Sequence, residues 1–347
     1  MFASPVKDSH SVKPTKLSVV KRLRFRLELL GCKLLTHALA PLSFRSICTL
    51  SQIIGALAGR LSALGQNFAA ENINLVFGQR PLAERLAITS LSYTNFARTM
   101  LSLFWSATRS SAELAKVTTA VGFRAVEDFA ERTGKPLILT TFHFGNWELS
   151  SLGVAIRGRP VLIVGEDFKN PLLRPFFHQL RSRFGSEVIP QAGAAVRLLR
   201  HLKKGGDVAF LFDLTMPPAP NGTVISAFGN PRFEMSVTPL HALLAKRTGA
   251  VLVPVISTPN GNRGVLITAL SPIDTSDEIS IHQAVQSGWD LLEKTVQDRP
   301  DLYLWAYRHF RYRPKDANRE YPTYASPSPA LDALKLEVKT GVTPTRS

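Results

Sequence analysis

Three things are scarce in this chain, and each scarcity narrows what it can be. Cysteine is the first, with Cys32 and Cys48 the only two among 347 residues. Both sit in apolar surroundings, so no disulfide framework and no Cys-x-x-Cys or His/Cys zinc cluster is available. They read as small buried hydrophobes in a reducing compartment. Acid is the second scarcity: 26 Asp and Glu stand against 42 Lys and Arg, a formal net charge of +16. Such an excess predicts acidic partners, and nucleic acid, an anionic membrane and an acidic carrier protein all qualify. No recognition-helix, zinc-finger or RNA-binding aromatic signature is present, so nucleic acid is not expected. Long apolar runs are the third. Between Leu27 and Leu64 the longest charge-free piece runs from Ser46 to Gly59, short of the ~18 residues that argue a spanning helix.

The 45% of hydrophobic residues that are present suffice for one large core or two modest ones. Residues 1–26 carry seven basic side chains against Asp8 alone and read as a basic mobile arm. No small-residue cleavage site follows, which argues against a signal peptide. From Leu27 to Leu64, Glu28, Lys33, Arg45 and Arg60 interrupt the apolar pattern. Leu27 to Phe44 fits an interfacial amphipathic anchor or a packed helix equally, whereas Ile47 to Leu64 fits packing better. Phe96, Met100, Leu103 and Phe104 stand at helical spacing in residues 81–108, a stripe that suits a core better than an acyl groove.

Beyond Gly134, strand and helix patterns alternate. Strand candidates are Leu137–Phe142, Val161–Val164, Glu187–Ile189, Asp207–Phe212, Val251–Ile256 and Gly264–Ala269. Helices between them have readable ends: Asn170-Pro171 opens one, Gly205-Gly206 closes another, and Ser280–Asp298 stops before Pro300. This alternation predicts an α/β fold, a largely parallel sheet covered by helices, with an amphipathic helical region at its N-terminus. Residues 27–314 form the folded domain in this reading. Residues 315–347, rich in Pro, Ser and Thr, read as a disordered tail with a hint of helix over Pro329–Lys339.

The chain is organised around Leu137-Ile-Leu-Thr-Thr-Phe-His-Phe-Gly-Asn-Trp-Glu-Leu149. An apolar strand ends at His143, a glycine turn follows, and a helix opens with Asn146 as its N-cap. Strand-to-helix junctions of this kind expose side chains at the carboxyl edge of a sheet, where open α/β folds place ligands. Glu148, in the first helical turn, is expected to fold back onto the Nδ1–H of His143, fixing its tautomer and leaving Nε2 to accept a proton from a hydroxyl. Such a pair is the base half of a triad with no enzyme nucleophile, so the substrate hydroxyl attacks.

The string His-Phe-Gly-Asn-Trp-Glu resembles the His-x4-Asp/Glu motif of the lysophospholipid acyltransferase superfamily. In this form it is similar to the lipid A late acyltransferase branch, the lauroyl/myristoyl transferases. Three further segments match that branch in order. Glu166-Asp-Phe-Lys-Asn-Pro171 resembles its Arg-Pro-x-x-Asn-Pro segment, with Lys169, Asn170 and Pro171 in place but Glu166 where an Arg is usual. Phe210-Leu-Phe-Asp213, followed by what reads as a long Pro/Gly loop to Phe228-Gly-Asn-Pro231, resembles its strand-Asp-Gln segment, with Leu214 for the Gln. At that strand end Asp213 faces the same crevice as His143, to position the acceptor, orient a cation or cap the loop. Tyr303-Leu-Trp-Ala-Tyr-Arg-His-Phe-Arg-Tyr-Arg-Pro314 resembles its closing signature, with Tyr307 for His, His309 for Arg and Arg311 for Lys. There Arg308 and Arg311 interleave with aromatic rings, which suits a phosphorylated lipid, although stacked nucleotides or a solvated edge fit the same string.

The resemblance implies an acyltransferase at the cytoplasmic face of a bacterial inner membrane, using an acyl-carrier-protein thioester as donor and needing no metal and no cofactor. The expected acceptor is a lipid A precursor. The Glu166 departure leaves a lysophospholipid or an aminolipid open, and a non-enzymatic basic membrane- or nucleic-acid-binding protein is the remaining alternative. The expected site is His143 and Glu148 as catalytic pair, with Asn146, Lys169, Asn170, Asp213, Arg308 and Arg311 binding substrate. Acyl chain length cannot be read from residues this ordinary.

Overall fold

The computed structural model describes residues 18–62, 67–165, 168–229 and 231–340. Residues 1–17 of the expected mobile arm, and Glu166, therefore lie outside the described residues.

The chain opens with helices. Helix α1 (Val19–Leu39) is capped by Ser18, whose hydroxyl accepts from the Lys21 N–H, so the end of the expected arm is helical. α2 (Phe44–Ser62), α3 (Phe68–Phe77), α4 (Leu82–Ser106) and α5 (Ser111–Ala115) follow. α1 is packed on one face and apolar but exposed on another. It buries Phe25, Thr36 and Leu39 but exposes Leu23, Leu27, Leu30 and Leu34, one stripe at helical spacing. α2 packs Ile47, Cys48 and Ser51 inward. Among the described residues no helix is long and apolar enough to cross a membrane.

The sheet then builds through β1 (Thr118–Val121), α6 (Phe123–Thr133), β2 (Leu137–Thr141), α7 (Trp147–Ala155), β3 (Val161–Gly165), α8 (Leu173–Arg181), β4 (Glu187–Pro190), α9 (Ala194–Lys203) and β5 (Asp207–Leu211). A hairpin, β6 (Thr223–Ala227) and β7 (Phe233–Val237), interrupts it before α10 (Leu240–Thr248), β8 (Val251–Asn260), β9 (Gly264–Ala269) and α11 (Ile281–Asp298). Seven strands pair in the order β1-β9-β8-β2-β5-β3-β4, all parallel except β8 with β9. The α/β fold is therefore as the alternating pattern predicts. Successive residues of β2 show why its run is continuously apolar: Leu137 and Leu139 join the core under α4, α7 and α8, while Ile138 joins a second core under α9 and α10. A parallel strand buried on both faces has no polar side to show.

Two parts differ from expectation. The stretch after Asp213 is not one long loop, because β6 and β7 form a hairpin within it. Its turn passes through Phe228 and Gly229, both at positive φ. The described part of the tail, residues 315–340, carries regular structure, including a helix where the sequence hints at one. β10 (Tyr312–Arg313) pairs with β11 (Ser326–Pro327), and α12 (Pro329–Thr340) buries Leu331 and Leu334 against Val224. The Pro- and Ser-rich composition hides a few anchors. Tyr321 packs on Phe233, and the Tyr324 hydroxyl donates to Asn72 Oδ1.

Candidate active site

The sheet register brings together two residues far apart in sequence. β2 and β5 run parallel with Thr141 opposite Leu211. Two residues beyond that rung on each strand stand His143 and Asp213, so the two side chains emerge side by side at the carboxyl edge. His143 Nδ1 lies 2.9 Å from Asp213 Oδ1, and the His143 backbone N–H donates to Oδ2 at 3.1 Å. A carboxylate fixes the Nδ1–H tautomer. Asp213 is fully buried, which by itself would raise its carboxyl, but the His143 charge and hydrogen bonds, with His309 behind, hold it below the usual range. The His143 side chain keeps 14% of its surface exposed, and Nε2 finds no partner among the described residues.

The expected contact from Glu148 is not made, and this corrects the sequence reading. Glu148 does lie in the first turn of α7, but its side chain points to α8. There Oε2 accepts from Arg181 Nε at 3.0 Å and Oε1 from Nη2 at 2.6 Å. The turn carries Glu148 away from the ring, whereas the register delivers Asp213 to it.

That turn is held on every side. Gly145 has φ +61, and a Cβ there would run into the Ser257 carbonyl, so only glycine fits. The Gly145 carbonyl accepts from Asn95 Nδ2 and Thr99 Oγ1, both at 2.9 Å, and its N–H donates to Leu302 O at 2.9 Å. The Leu304 N–H donates to the His143 carbonyl at 2.9 Å. Asn146 is the α7 cap, as expected: its N–H donates to Ser257 Oγ at 2.8 Å, and its Oδ1 accepts from Leu149 N–H at 3.0 Å. Its Nδ2 is buried and has no hydrogen-bond partner among the described residues, so a donor three residues along the turn from His143 is left over.

Next to this junction lies a cleft of about 580 Å³ between α2 and α4, lined by Ile54, Ala58, Tyr93, Phe96, Ala97 and Met100 and closed by Leu304, Ala306 and Tyr307. The aromatic stripe of α4 thus divides. Leu103 and Phe104 are core, while Phe96 and Met100 face the cleft. Phe96 packs on Trp147 at 6.3 Å, and Trp147 meets the His143 ring edge-on at 5.0 Å, linking cleft to imidazole.

The other expected residues fare differently. Asn170 is buried and its amide is fully engaged, donating to Phe25 O and Glu28 Oε2 and accepting from Leu172 N–H; it pins α1 to the start of α8 and has nothing left for substrate. Lys169 is exposed beside it. Arg308 is stacked between Phe68, at 4.4 Å, and Tyr324, and Arg311 lies 5.8 Å over the ring of Tyr307 on the cleft wall. Sequence reasoning missed Arg181, on α8, which no motif signals. It gave no site role to Tyr303 and His309 either, although both stand in the closing string; the structure buries them wholly behind Asp213. Among the described residues no group of three or more His, Cys, Asp or Glu could hold a metal ion.

Comparison with known proteins finds relatives over most of the chain. The chain is 24% identical over 286 residues to a lipid A biosynthesis acyltransferase of Haemophilus influenzae, covering 82% of this chain and 87% of that protein. It is 24% identical over 290 residues to the lipid A biosynthesis lauroyltransferase of Escherichia coli (81% and 89% covered) and 22% identical over 278 residues to the myristoyltransferase of the same organism (80% and 84%). The bacterial lipid A biosynthesis acyltransferase family matches residues 18–312, so the junction, the cleft and the closing string as far as Tyr312 fall inside the match, and the chain belongs to that family of enzymes.

Proposed function

We propose that this acyltransferase moves a fatty acyl group from an acyl-carrier-protein thioester to a hydroxyl of a lipid A precursor, with His143 as general base. The single observation that carries this reading is the Nδ1 contact of His143 with buried Asp213, at 2.9 Å, beside an apolar cleft. The acceptor hydroxyl gives its proton to Nε2 as its oxygen attacks the thioester carbonyl. Asp213 stabilises the imidazolium that results. When the tetrahedral intermediate collapses, the carbon–sulfur bond breaks and the imidazolium returns the proton to the departing carrier thiolate, leaving an ester and a free thiol. The amide of Asn146, buried with an unused N–H pair, is the candidate donor to the oxyanion. The acyl chain lies along Ile54, Phe96 and Met100.

Glu148 then acts through structure rather than at the base. Arg311, stacked on the cleft-wall Tyr307, is the cation best placed for an acceptor phosphate. The exposed Lys21, Arg22, Arg24 and Arg26 of α1 and Lys169 suit an acidic carrier and the anionic cytoplasmic leaflet of the inner membrane. The leucine stripe of α1 enters that leaflet's surface as a peripheral anchor.

The test incubates purified protein with labelled acyl carrier thioester and membranes of a strain lacking the activity, and identifies the labelled lipid by mass spectrometry. Label on a lipid A precursor, lost in His143→Ala, is expected. Undiminished transfer by His143→Ala removes the base, and label on a lysophospholipid or an aminolipid removes the acceptor.

A further inference from the structure

One buried amide ties down the wall of the cleft. Asn72, on α3, is wholly buried, and its Nδ2 donates to the Trp305 carbonyl at 2.8 Å and to the Tyr307 carbonyl at 2.7 Å. The stretch so held includes Ala306 and Tyr307, which close the cleft, and it follows Leu304, whose N–H reaches the His143 carbonyl. An amide turned over would aim an oxygen at those two carbonyls, so its sense matters. Tyr324 fixes that sense. The Phe310 N–H donates to the Tyr324 hydroxyl at 3.3 Å. A backbone N–H only donates, so the phenol accepts there and gives its single proton to Asn72 Oδ1. Each bond in the chain therefore has one direction, from the Phe310 N–H through phenol and amide to the two carbonyls of the wall. Tyr324 is in turn held in place by its neighbours. Its ring meets Phe68 edge-on at 5.2 Å, and Thr323 donates to the Glu71 carboxylate through its N–H at 2.7 Å and its hydroxyl at 2.9 Å. The Ser326 and Ser328 N–H groups donate to the Arg311 and Arg313 carbonyls, both at 2.9 Å. The family match ends at residue 312, so this strap lies beyond it.

We propose that Tyr324, acting through Asn72, is a positioning residue that sets the cleft wall and with it the preference among acyl donors, so that a segment beyond the family match tunes what the shared site accepts. This rests on the acyl chain lying in the cleft, as proposed above. Neither Tyr324 nor Asn72 belongs to the cleft lining, so both act through the wall and not on the chain. Without the phenol, Asn72 Oδ1 loses its donor while buried, the amide is free to turn, and Trp305 and Tyr307 lose their common tether. Tyr307 keeps its own hydroxyl bond to the Thr215 carbonyl at 3.2 Å, so the wall loosens and does not collapse. The His143–Asp213 contact, set by the register of β2 against β5, stays as it is.

The test compares the full chain with Tyr324→Phe, which deletes one oxygen and keeps the ring that meets Phe68 and Arg308, and with Tyr321→Phe, the same deletion three residues away on a ring that packs on Phe233. Acyl carrier thioesters from decanoyl to palmitoyl compete in one reaction with a lipid A precursor as acceptor, and the products are read by mass spectrometry. A ratio of products does not depend on how much enzyme is active, so a general loss of fold leaves it alone. Tyr324→Phe is expected to lower the preference for the best donor over the one two carbons longer by about tenfold, the low end of what a methylene is worth in a fitted pocket, and to raise KM for the best donor with kcat unchanged. Tyr321→Phe leaves all three as they are. Hydrogen exchange in residues 304–310, which needs no substrate, is expected to quicken in Tyr324→Phe and not in Tyr321→Phe. An unmoved preference or unmoved exchange in Tyr324→Phe, or an equal shift in Tyr321→Phe, overturns the proposal. Ala97→Phe, which narrows the cleft itself, separates the two levels. A shift of preference there and none in Tyr324→Phe removes the tether alone, whereas no shift in either removes the cleft reading with it.

Discussion

Glu148 and Arg181 meet through two N–H···O contacts, at 3.0 and 2.6 Å, with the carboxylate side chain 5% exposed and the guanidinium 20%. The pair joins the first turn of α7 to the last turn of α8, and α7 is the helix that Asn146 caps beside His143. In the proposed reaction the two acids therefore have separate work: Asp213 would bear on proton transfer at His143, and Glu148 on where the helix stands.

Substitution separates the two. Asp213→Asn keeps shape and removes charge, and is expected to lower kcat by about 10²–10⁴-fold, the worth of a positioned base, with little change in melting temperature. Glu148→Gln breaks a buried ion pair and leaves Arg181 without that charge partner, a loss on the order of 3 kcal/mol. Thermal melts and initial rates at low temperature check both. Loss of rate without loss of stability in Glu148→Gln would return that acid to the chemistry.

Asn146 can be tested by substitution. Asp in its place keeps the cap oxygen on Leu149 N–H and replaces the unpartnered N–H pair with an oxygen that also carries negative charge. If that amide holds the oxyanion, Asn146→Asp lowers kcat by about 10²–10³-fold with KM for the thioester nearly unchanged and α7 intact by circular dichroism. An equal fall in Asn146→Ala and none in Asn146→Asp would assign the residue to capping alone.

Much of this fold is legible in the sequence, and the site is legible only in part. Six strands of the main sheet show as apolar runs; in the central ones burial on both faces leaves no polar alternation to confuse them, while β4 at the edge has no buried residue and shows by its Val188-Ile189 pair. The Asn146 cap shows because its residue type and place are local facts. β1 was hidden by a short Thr-rich stretch that is half exposed. The Asp213 contact with Nδ1 depends on the register of β2 against β5, across a separation of 70 residues, and no spacing rule reports register. Nearness in sequence favours Glu148, because five residues is a short way round a turn. The turn's direction is set by Gly145 and its clamp from Asn95, Thr99 and Ser257, which lie on other elements.

The cleft predicts a change of donor. Ala58 and Ala97 line it from facing helices, so a phenylalanine at Ala97 fills space that an acyl chain would occupy. Each methylene shut out forfeits about 0.8 kcal/mol, near fourfold in kcat/KM. Ala97→Phe is expected to shift preference to shorter acyl thioesters, measured by competition between donors of different length. An unchanged preference would place the chain elsewhere.

Acid should unfold this protein through its buried histidines. His241 is wholly buried beside Phe212, its ring nitrogens have no hydrogen-bond partner among the described residues, and burial pushes it from 6.5 down to about 4; burial pushes His309 down to about 4 too. Between those values the unfolded chain binds protons that the folded chain refuses, so stability present above pH 6.5 is lost as pH falls toward 4. Each histidine contributes a slope of about 1.4 kcal/mol per pH unit in that window. His241→Phe leaves no nitrogen to charge, and the slope of unfolding free energy against pH from 6 to 4.5 should fall by about one proton's worth, whatever the variant's absolute stability. Urea titrations at four pH values measure it, and an unchanged slope would mean that water or local opening already reaches the His241 ring in the folded protein.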